Sequence, residues 1–358
     1  MPEAEATSAV LDPNVDEPDE TTGGPRPRFA GYDVREIFTL SGWRDPAFRG
    51  TVVPLVGLVA MIVYFGFESP GFATSNNFFA ILRDGAGLLI IATGATWVIL
   101  MGSIDLSVGS VAVLSGLISA TLMQNHGVAF SVTLAVLAGL GAGVMNGILF
   151  AYGKLPSFLV TLGTSLAIGG IGLELTGGAS VQVFDQGFLN ISQAQFIPGV
   201  PNIALWSIVI WVAAIAVGIW TRFGRYAYAI GGGEVVARLS GVAVRRFKFY
   251  AFVVSATLAG ISGVLTTSLL GSGSPAYTAT SGDIVLLSVA AVVMGGTALT
   301  GGVGGVHRTM IGALVLSILG NGLSGMSVQP FKQSIIQGVV VILAVALTID
   351  RSKLTVLK

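Results

Sequence analysis

The sequence predicts an all-α integral membrane protein, a polytopic bundle of about ten transmembrane helices with both its N-terminus and its C-terminus in the cytoplasm. Three observations predict it. Of 358 residues, 53% are hydrophobic and 10% charged, against roughly 25% charged in soluble domains, and the mean hydropathy is +0.83. Ten apolar runs qualify as spans, because crossing a hydrocarbon core of about 30 Å takes about 20 residues at a rise of about 1.5 Å each. The basic residues then fall on one side of that frame, as cytoplasmic connections require.

In chain order, residues 1–49 read as a cytoplasmic tail. Its first part carries Glu3, Glu5, Asp12, Asp16, Glu17, Asp19 and Glu20 without a basic residue, and has prolines at 2, 13, 18 and 25, a composition that disfavours a packed core and reads as disordered. It has no basic n-region and short apolar core, so it is expected to stay uncleaved. Arg26, Arg28, Arg35, Arg44 and Arg49 follow and anchor that end inside. The transmembrane domain, 50–350, holds runs at 50–67, 83–101, 107–123, 128–152, 157–175, 203–221, 245–270, 283–299, 304–323 and 332–349. With an inside N-terminus, Lys154, the 222–248 loop, Arg308 and the C-terminal Arg351, Lys353 and Lys358 join the tail on the cytoplasmic side. Sixteen of eighteen basic residues lie there, leaving Arg83 and Lys332 outside. An odd number of spans would scatter these clusters. Gly139, Gly143 and Gly147 share one face of the fourth run, a spacing that lets helix backbones approach closely in lipid.

Several chemistries are excluded. The chain has no cysteine, hence no disulfide, thiolate metal site or cysteine nucleophile. Basic and acidic residues balance at 18 each, which gives no electrostatic footprint for nucleic acid. No Gly-x-x-x-x-Gly-Lys-Ser/Thr loop occurs, so ATP hydrolysis by that route is not expected of this chain. No cofactor or metal is expected either.

Four constellations remain. Gly102 to Ser110 is a polar break between two runs, where Asp105 or Ser107 is placed to cap the next helix. Unwound backbone at membrane depth is also tolerated beside a watery path, which gives Asp105 a second reading. Within the 222–248 loop, Glu234 to Ser240 reads as a short helix bounded by glycines, with Glu234 and Arg238 paired at i, i+4. It reads either as a solvated surface helix or as a docking element for a cytoplasmic partner, the second favoured by Val235, Val236 and Leu239, which gain nothing from exposure otherwise. The glycine cluster Gly295 to Gly305 reads as a tight turn, since no strand precedes it to make a dinucleotide loop. Finally, Gly260-Ile261-Ser262-Gly263 and Gly322-Leu323-Ser324-Gly325 admit an intramembrane serine hydrolase, but His126 and His307 lie in predicted turns on opposite sides, away from either serine. Charged groups at span centres are lacking, which disfavours an ion-driven transporter. Asn146 and Asn321 are placed either to bond a neutral solute or to tie helices together.

Taken in order, Ser103 to Ser110, Leu155 to Thr164, Leu175 to Gly178, Gly224 to Gly232, Ala237 to Gly241, Gly271 to Pro275, Gly295 to Gly302 and Ile311 to Leu314 resemble the ribose-type sugar permeases of ATP-binding-cassette importers. The resemblance runs from about residue 50 to the C-terminus. It implies a multi-pass permease of the bacterial inner membrane, working as two permease copies with cytoplasmic ATPase domains, which bind the ATP, and an external solute-binding protein. It makes Glu234, Val235, Val236, Arg238 and Leu239 the candidates for coupling to the ATPase. Gly233 stands where the family often has Asn, and Val235 where it often has a second acidic residue. The translocation-path candidates are Asp105, Ser107, Asn146, Thr161, Thr164, Asp283 and Asn321. The spans bear Ser, Thr and Asn without buried charge, which suits an uncharged monosaccharide such as ribose or xylose. The alternatives are an ion-driven carrier of a small neutral solute and the serine hydrolase.

Overall fold

A computed structural model describes residues 28–29, 32–33, 46–275 and 277–348. The disordered reading of the acidic segment and the placement of the last three basic residues therefore concern positions outside the described residues. Residues 1–43 form a unit of their own, in which β1 (Arg28–Phe29) and β2 (Tyr32–Asp33) pair antiparallel, Arg28 opposite Asp33.

The second unit is helical. Its longer helices are α1 (Pro46–Glu68), α2 (Ser75–Leu100), α3 (Val108–Leu122), α4 (Val128–Gly147), α5 (Ser157–Thr176), α7 (Asn202–Trp220), α10 (Val244–Leu270), α11 (Tyr277–Met294), α12 (Val306–Gly325) and α13 (Pro330–Thr348). Among the described residues, six helices are long and apolar enough to cross a membrane, α4 together with the π-helical turn Ile148–Tyr152 that continues it. Four shorter apolar stretches lie in α1, α3, α11 and α13.

Helix ends follow local chemistry. The helix α2 starts eight residues before the apolar run because Thr74 caps it, its hydroxyl accepting from the Asn77 N–H at 3.3 Å. Both α5 and α10 stop at left-handed glycines, Gly177 (φ 59°) and Gly271 (φ 65°). Pro156 and Pro201 stand immediately before α5 and α7, where a missing N–H costs nothing. The helix α11 ends five residues before the apolar run does, since the glycines from Gly295 onward turn the chain.

The buried axis is α10, packed against α2, α3 and α4. Glycine makes the approach possible. A Cβ on Gly139 would stand 2.9 Å from the Ala256 carbonyl oxygen, and one on Gly143 2.8 Å from that of Phe252, so the predicted small-residue face of α4 meets α10 directly. Apolar stretches of α2, α10 and α12 are 56% buried, whereas that of α7 is 17% buried, which makes α7 peripheral and leaves its Val209, Val212 and Ile219 exposed. An exposed apolar face of this kind is what lipid covers.

Short elements cluster at the two ends of the bundle. At one end, β3 (Val181–Gln182) pairs with β4 (Ser272–Gly273), and α6 (Gln186–Gln193) is tied to α10 by Ser192 Oγ donating to the Leu265 carbonyl at 2.7 Å and Ser268 Oγ to that of Phe188 at 2.6 Å. At the other lie α8 (Arg222–Gly232) and α9 (Glu234–Leu239). Thus the connection read as a loop around one short helix is helical through most of its length, and the segment 176–202 carries structure that its sequence did not announce.

Candidate functional site

A cavity of about 500 Å³ opens between α2, α3, α10, α11, α12 and α13 at the end of the bundle that holds β3, β4 and α6. Its polar lining comes as helical stripes. Ser262 and Thr266 lie four apart on α10, Ser317, Asn321 and Ser324 at i, i+4, i+7 on α12, and Gln333 and Gln337 four apart on α13. Such spacings put each set on one face. Leu88, Ile91, Ile284, Leu287 and Leu316 supply apolar wall. The charged groups of the lining, Arg83 and Asp84, pair with each other at 2.8 Å. The Asn321 Oδ1 accepts from Asn77 Nδ2 at 3.0 Å, tying α12 to α2. The lining therefore offers hydroxyls, amides and apolar surface with no net charge, suited to a neutral hydrogen-bonding solute rather than an ion.

Ser262 and Ser324 both line this cavity. Ser262 donates to the Gly87 carbonyl at 3.0 Å, and Ser324 pairs with the Gln333 amide at 3.2 Å. His126 follows α3 and His307 stands in the first turn of α12, and neither belongs to the lining. Neither serine therefore has a histidine beside it in this lining, and both engage their hydroxyls in hydrogen bonds to neighbouring helices.

Of the translocation-path candidates, Asn321 alone lines the cavity. Asp105, Ser107 and Asn146 instead meet in a buried knot. Asp105 Oδ1 accepts from both the N–H (3.0 Å) and the hydroxyl (2.6 Å) of Ser107, and Oδ2 accepts from Ser255 on α10 at 3.1 Å. Asn146 Nδ2 on α4 donates to Ser107 Oγ at 2.8 Å, while its Oδ1 is buried without a partner. No ion pair to Asp105 occurs among the described residues. Capping is thus indirect: Ser107 is the N-cap residue of α3 without a side-chain cap bond, and the carboxylate sits just ahead of the helix start, where the dipole favours an anion. Thr161 and Thr164 are buried on α5 and bond back to their own helix, Thr161 to the Ser157 carbonyl and Thr164 to that of Thr161. Asp283 is exposed on α11 and is not part of the lining.

At the opposite end, α9 is the short helix expected over Glu234 to Ser240, ending one residue earlier at Leu239. Glu234 accepts from Arg238 at 2.9 Å and from Lys248 of α10 at 2.7 Å. The Lys248 ammonium is the first cause, and Arg238 an additional one, of a Glu234 carboxyl held below its ordinary range. Val235, Val236 and Leu239 are 66%, 68% and 84% exposed. The glycine turn after α11 locks against α2 and α8: Gly302 N–H donates to the Leu100 carbonyl of α2 at 2.9 Å, and Tyr228 Oη of α8 to the Gly304 carbonyl at 2.9 Å. Gly296, Gly301, Gly302, Gly304 and Gly305 all have positive φ there, and a Cβ on Gly231 would overlap the Leu100 carbonyl and the Gly302 amide. The cluster is therefore a tight turn, and no nucleotide cradle. The sequence did not single out Thr266, Ser317, Gln333 and Gln337: each stands four residues from another polar lining residue, but that spacing is not specific to the cavity.

The family model described as branched-chain amino acid transport system / permease component matches residues 77–345. The ribose import permease protein RbsC of Escherichia coli is 37% identical over 301 residues, 81% of this chain and 91% of that protein. A probable ABC transporter permease protein, y4mJ of Sinorhizobium fredii, is 34% identical over 312 residues, 85% and 90% respectively. The D-allose transport system permease protein AlsC of Escherichia coli is 33% identical over 293 residues, 81% and 89%. No solved structure matches. A chain that carries membrane-length helices and matches transport permeases over most of its length is a transport subunit of the cell membrane, and it belongs to the family of branched-chain amino acid transport system permease components.

Proposed function

We propose that this chain is the membrane-spanning permease subunit of an ATP-binding-cassette importer in the bacterial inner membrane, and that it translocates a monosaccharide of the ribose or xylose kind. An external solute-binding protein delivers the sugar, a second permease copy completes the pathway, and ATP is bound and hydrolysed by a cytoplasmic partner. The chain crosses the membrane ten times, the short helices α1, α3, α11 and α13 included, with both termini inside. In that frame the cavity opens outward and α9 faces the cytoplasm.

The observation that carries the reading is the neutral, amide- and hydroxyl-rich lining of the cavity, whose charged pair Arg83–Asp84 cancels. A sugar needs such an inventory of donors and acceptors, and a buried unpartnered charge would exact a penalty on its passage. Sugar permeases among the relatives support the same substrate class. The apolar triad of α9, exposed beyond what a solvated helix needs, supports Glu234, Val235, Val236, Arg238 and Leu239 as the contact with the ATPase.

The test is to co-purify the chain with its ATPase and to measure ATP turnover with the binding protein loaded with each candidate sugar. Turnover that rises with one loaded pentose or hexose is the expected result. A chain that recruits no ATPase and moves solute only under an ion gradient overturns the reading.

A further inference from the structure

A second cavity, about 850 Å³, lies at the α9 end of the bundle between the π-helical turn after α4, the loop that leads into α5, and the first turn of α10. Lys154, Arg238, Arg245, Arg246 and Lys248 line it against a single carboxylate, Glu234. That carboxylate is already engaged by Arg238 and Lys248. Lys154, Arg245 and Arg246 are left with no ion-pair partner among the described residues. Three unpaired cations around one concavity repel each other and want an anion. The backbone adds to the field, because Val242, Ala243 and Val244 of the lining form the N-terminal entry of the 27-residue α10, whose cap residue makes no side-chain cap bond.

A soluble anion would need only the cations. This cavity has an apolar flank as well. Tyr152 and Leu155 belong to its wall and are each 49% exposed, and the apolar surface continues outward through Phe158 and Leu159 of α5 and Tyr250 of α10. Phe150 stacks under the Lys248 ammonium at 5.3 Å, holding that cation at the edge of the aromatic layer. A cationic pocket continuous with an exposed apolar and tyrosine-bearing face is built to hold a phosphate headgroup while acyl chains lie along the helices. We propose that this cavity is a binding site for an anionic phospholipid of the cytoplasmic leaflet, held by Lys154, Arg245 and Arg246 through its headgroup phosphate. The sidedness rests on the topology proposed above, whereas the binding itself does not.

The experiment takes the full chain in nanodiscs or detergent and measures retained lipid by native mass spectrometry after mixing with phosphatidylglycerol or phosphatidylcholine. Phosphatidylglycerol is expected to be retained at least about tenfold better, given what each basic residue contributes near an anionic surface. Substituting Lys154→Gln, Arg245→Gln and Arg246→Gln together is expected to abolish that preference and to leave phosphatidylcholine retention unchanged, while the pair Arg222→Gln and Arg225→Gln, on α8 and outside the lining, keeps it. Should the triple variant not fold, Lys154→Gln alone is read the same way, with a partial loss. Equal retention of both lipids by the native chain overturns the proposal. So does inorganic phosphate at millimolar concentration displacing phosphatidylglycerol completely, which would make this a free-anion site. Loss of the lipid on assembly with the ATPase also overturns it, because the cavity would then belong to the protein contact.

Discussion

Asp105 is the residue whose surroundings say most about its role. It is 3% exposed and meets three donors, two from Ser107 and one from Ser255, so it joins the α2–α3 break to the middle of α10 through hydrogen bonds rather than through a salt bridge. Removing the acceptor strands those donors in a dry site, which costs far more than the net worth of the bonds themselves. Asp105→Ala is therefore expected to destabilise the purified protein by about 3 kcal/mol, whereas Ser255→Ala, which removes a single donor, costs about 1 kcal/mol. Asp105→Asn keeps an acceptor for Ser107 and falls between the two. Thermal unfolding in detergent checks the order, and a midpoint for Asp105→Ala equal to that of the native chain would show the knot to be incidental. The aspartate was visible in the sequence as a polar residue in a glycine-bearing break. Its partner Ser255 was not, because 150 residues of chain separate them and a serine in an apolar helix carries no mark of what faces it.

Among the elements, α4 and α10 meet on glycine, and α4 supplies its own control. Gly143 faces the Phe252 carbonyl and the Val253 Cα at 2.8 Å, while Gly141, two residues earlier on the other side of α4, has open space where a Cβ would stand. Gly143→Ala is expected to destabilise by about 2 kcal/mol through overpacking against backbone, and Gly141→Ala to be neutral or to stabilise by up to about 1 kcal/mol through helix propensity. The same thermal assay reads both, and identical effects at the two positions would refute the packing argument. Hydropathy made the long helices legible, since it sums over some twenty residues and tolerates errors in any of them. It could not foresee α6 or the β3–β4 pair, which depend on Ser272–Gly273 arriving from 90 residues away. The helix α9 was legible because both glycines and the i, i+4 ion pair are local. Its third partner, Lys248, was not, and it gives α9 a pH dependence. A folded-state pKa of Glu234 below the ordinary carboxylate value means that the ion pairs contribute in full above that ordinary value and are lost as pH falls through the depressed one. Amide exchange of residues 234–240, corrected for its intrinsic rate, should lose protection over that acid window, and Glu234→Gln should abolish the pH dependence. Reversing one partner, as Arg238→Glu, is expected to uncouple ATP turnover from transport while the protein stays folded, and unimpaired uptake would remove α9 from the coupling role.

Across the whole molecule, α10 connects what the two ends do. Its 27 residues make a rod of about 40 Å, with Lys248 bonded to α9 near one end and Ser262, Thr266 and Thr267 in the cavity wall toward the other. A displacement of α9 has a stiff route to the cavity, and glycine contacts with α3 and α4 let the rod slide or tilt without large side chains unlocking. Cavity residues could not be singled out beforehand because which polar stripe turns inward is decided by the meeting of six helices, and four-residue spacing of Ser, Thr, Asn and Gln recurs elsewhere in the chain. The two sets of candidates nevertheless separate experimentally. Thr266 and Asn321 line the cavity, while Asp283 is exposed on α11 outside it. If sugar passes through the cavity, Thr266→Leu and Asn321→Leu each remove about one hydrogen bond to a neutral ligand, worth about 1 kcal/mol, and should raise the concentration of loaded binding protein that half-saturates ATP turnover by about fivefold. Basal turnover without sugar should not change, since neither residue touches α9. Asp283→Asn should leave both readings at the native value. A rise in half-saturation for Asp283→Asn alone would move the pathway out of this cavity and toward the exposed face of α11.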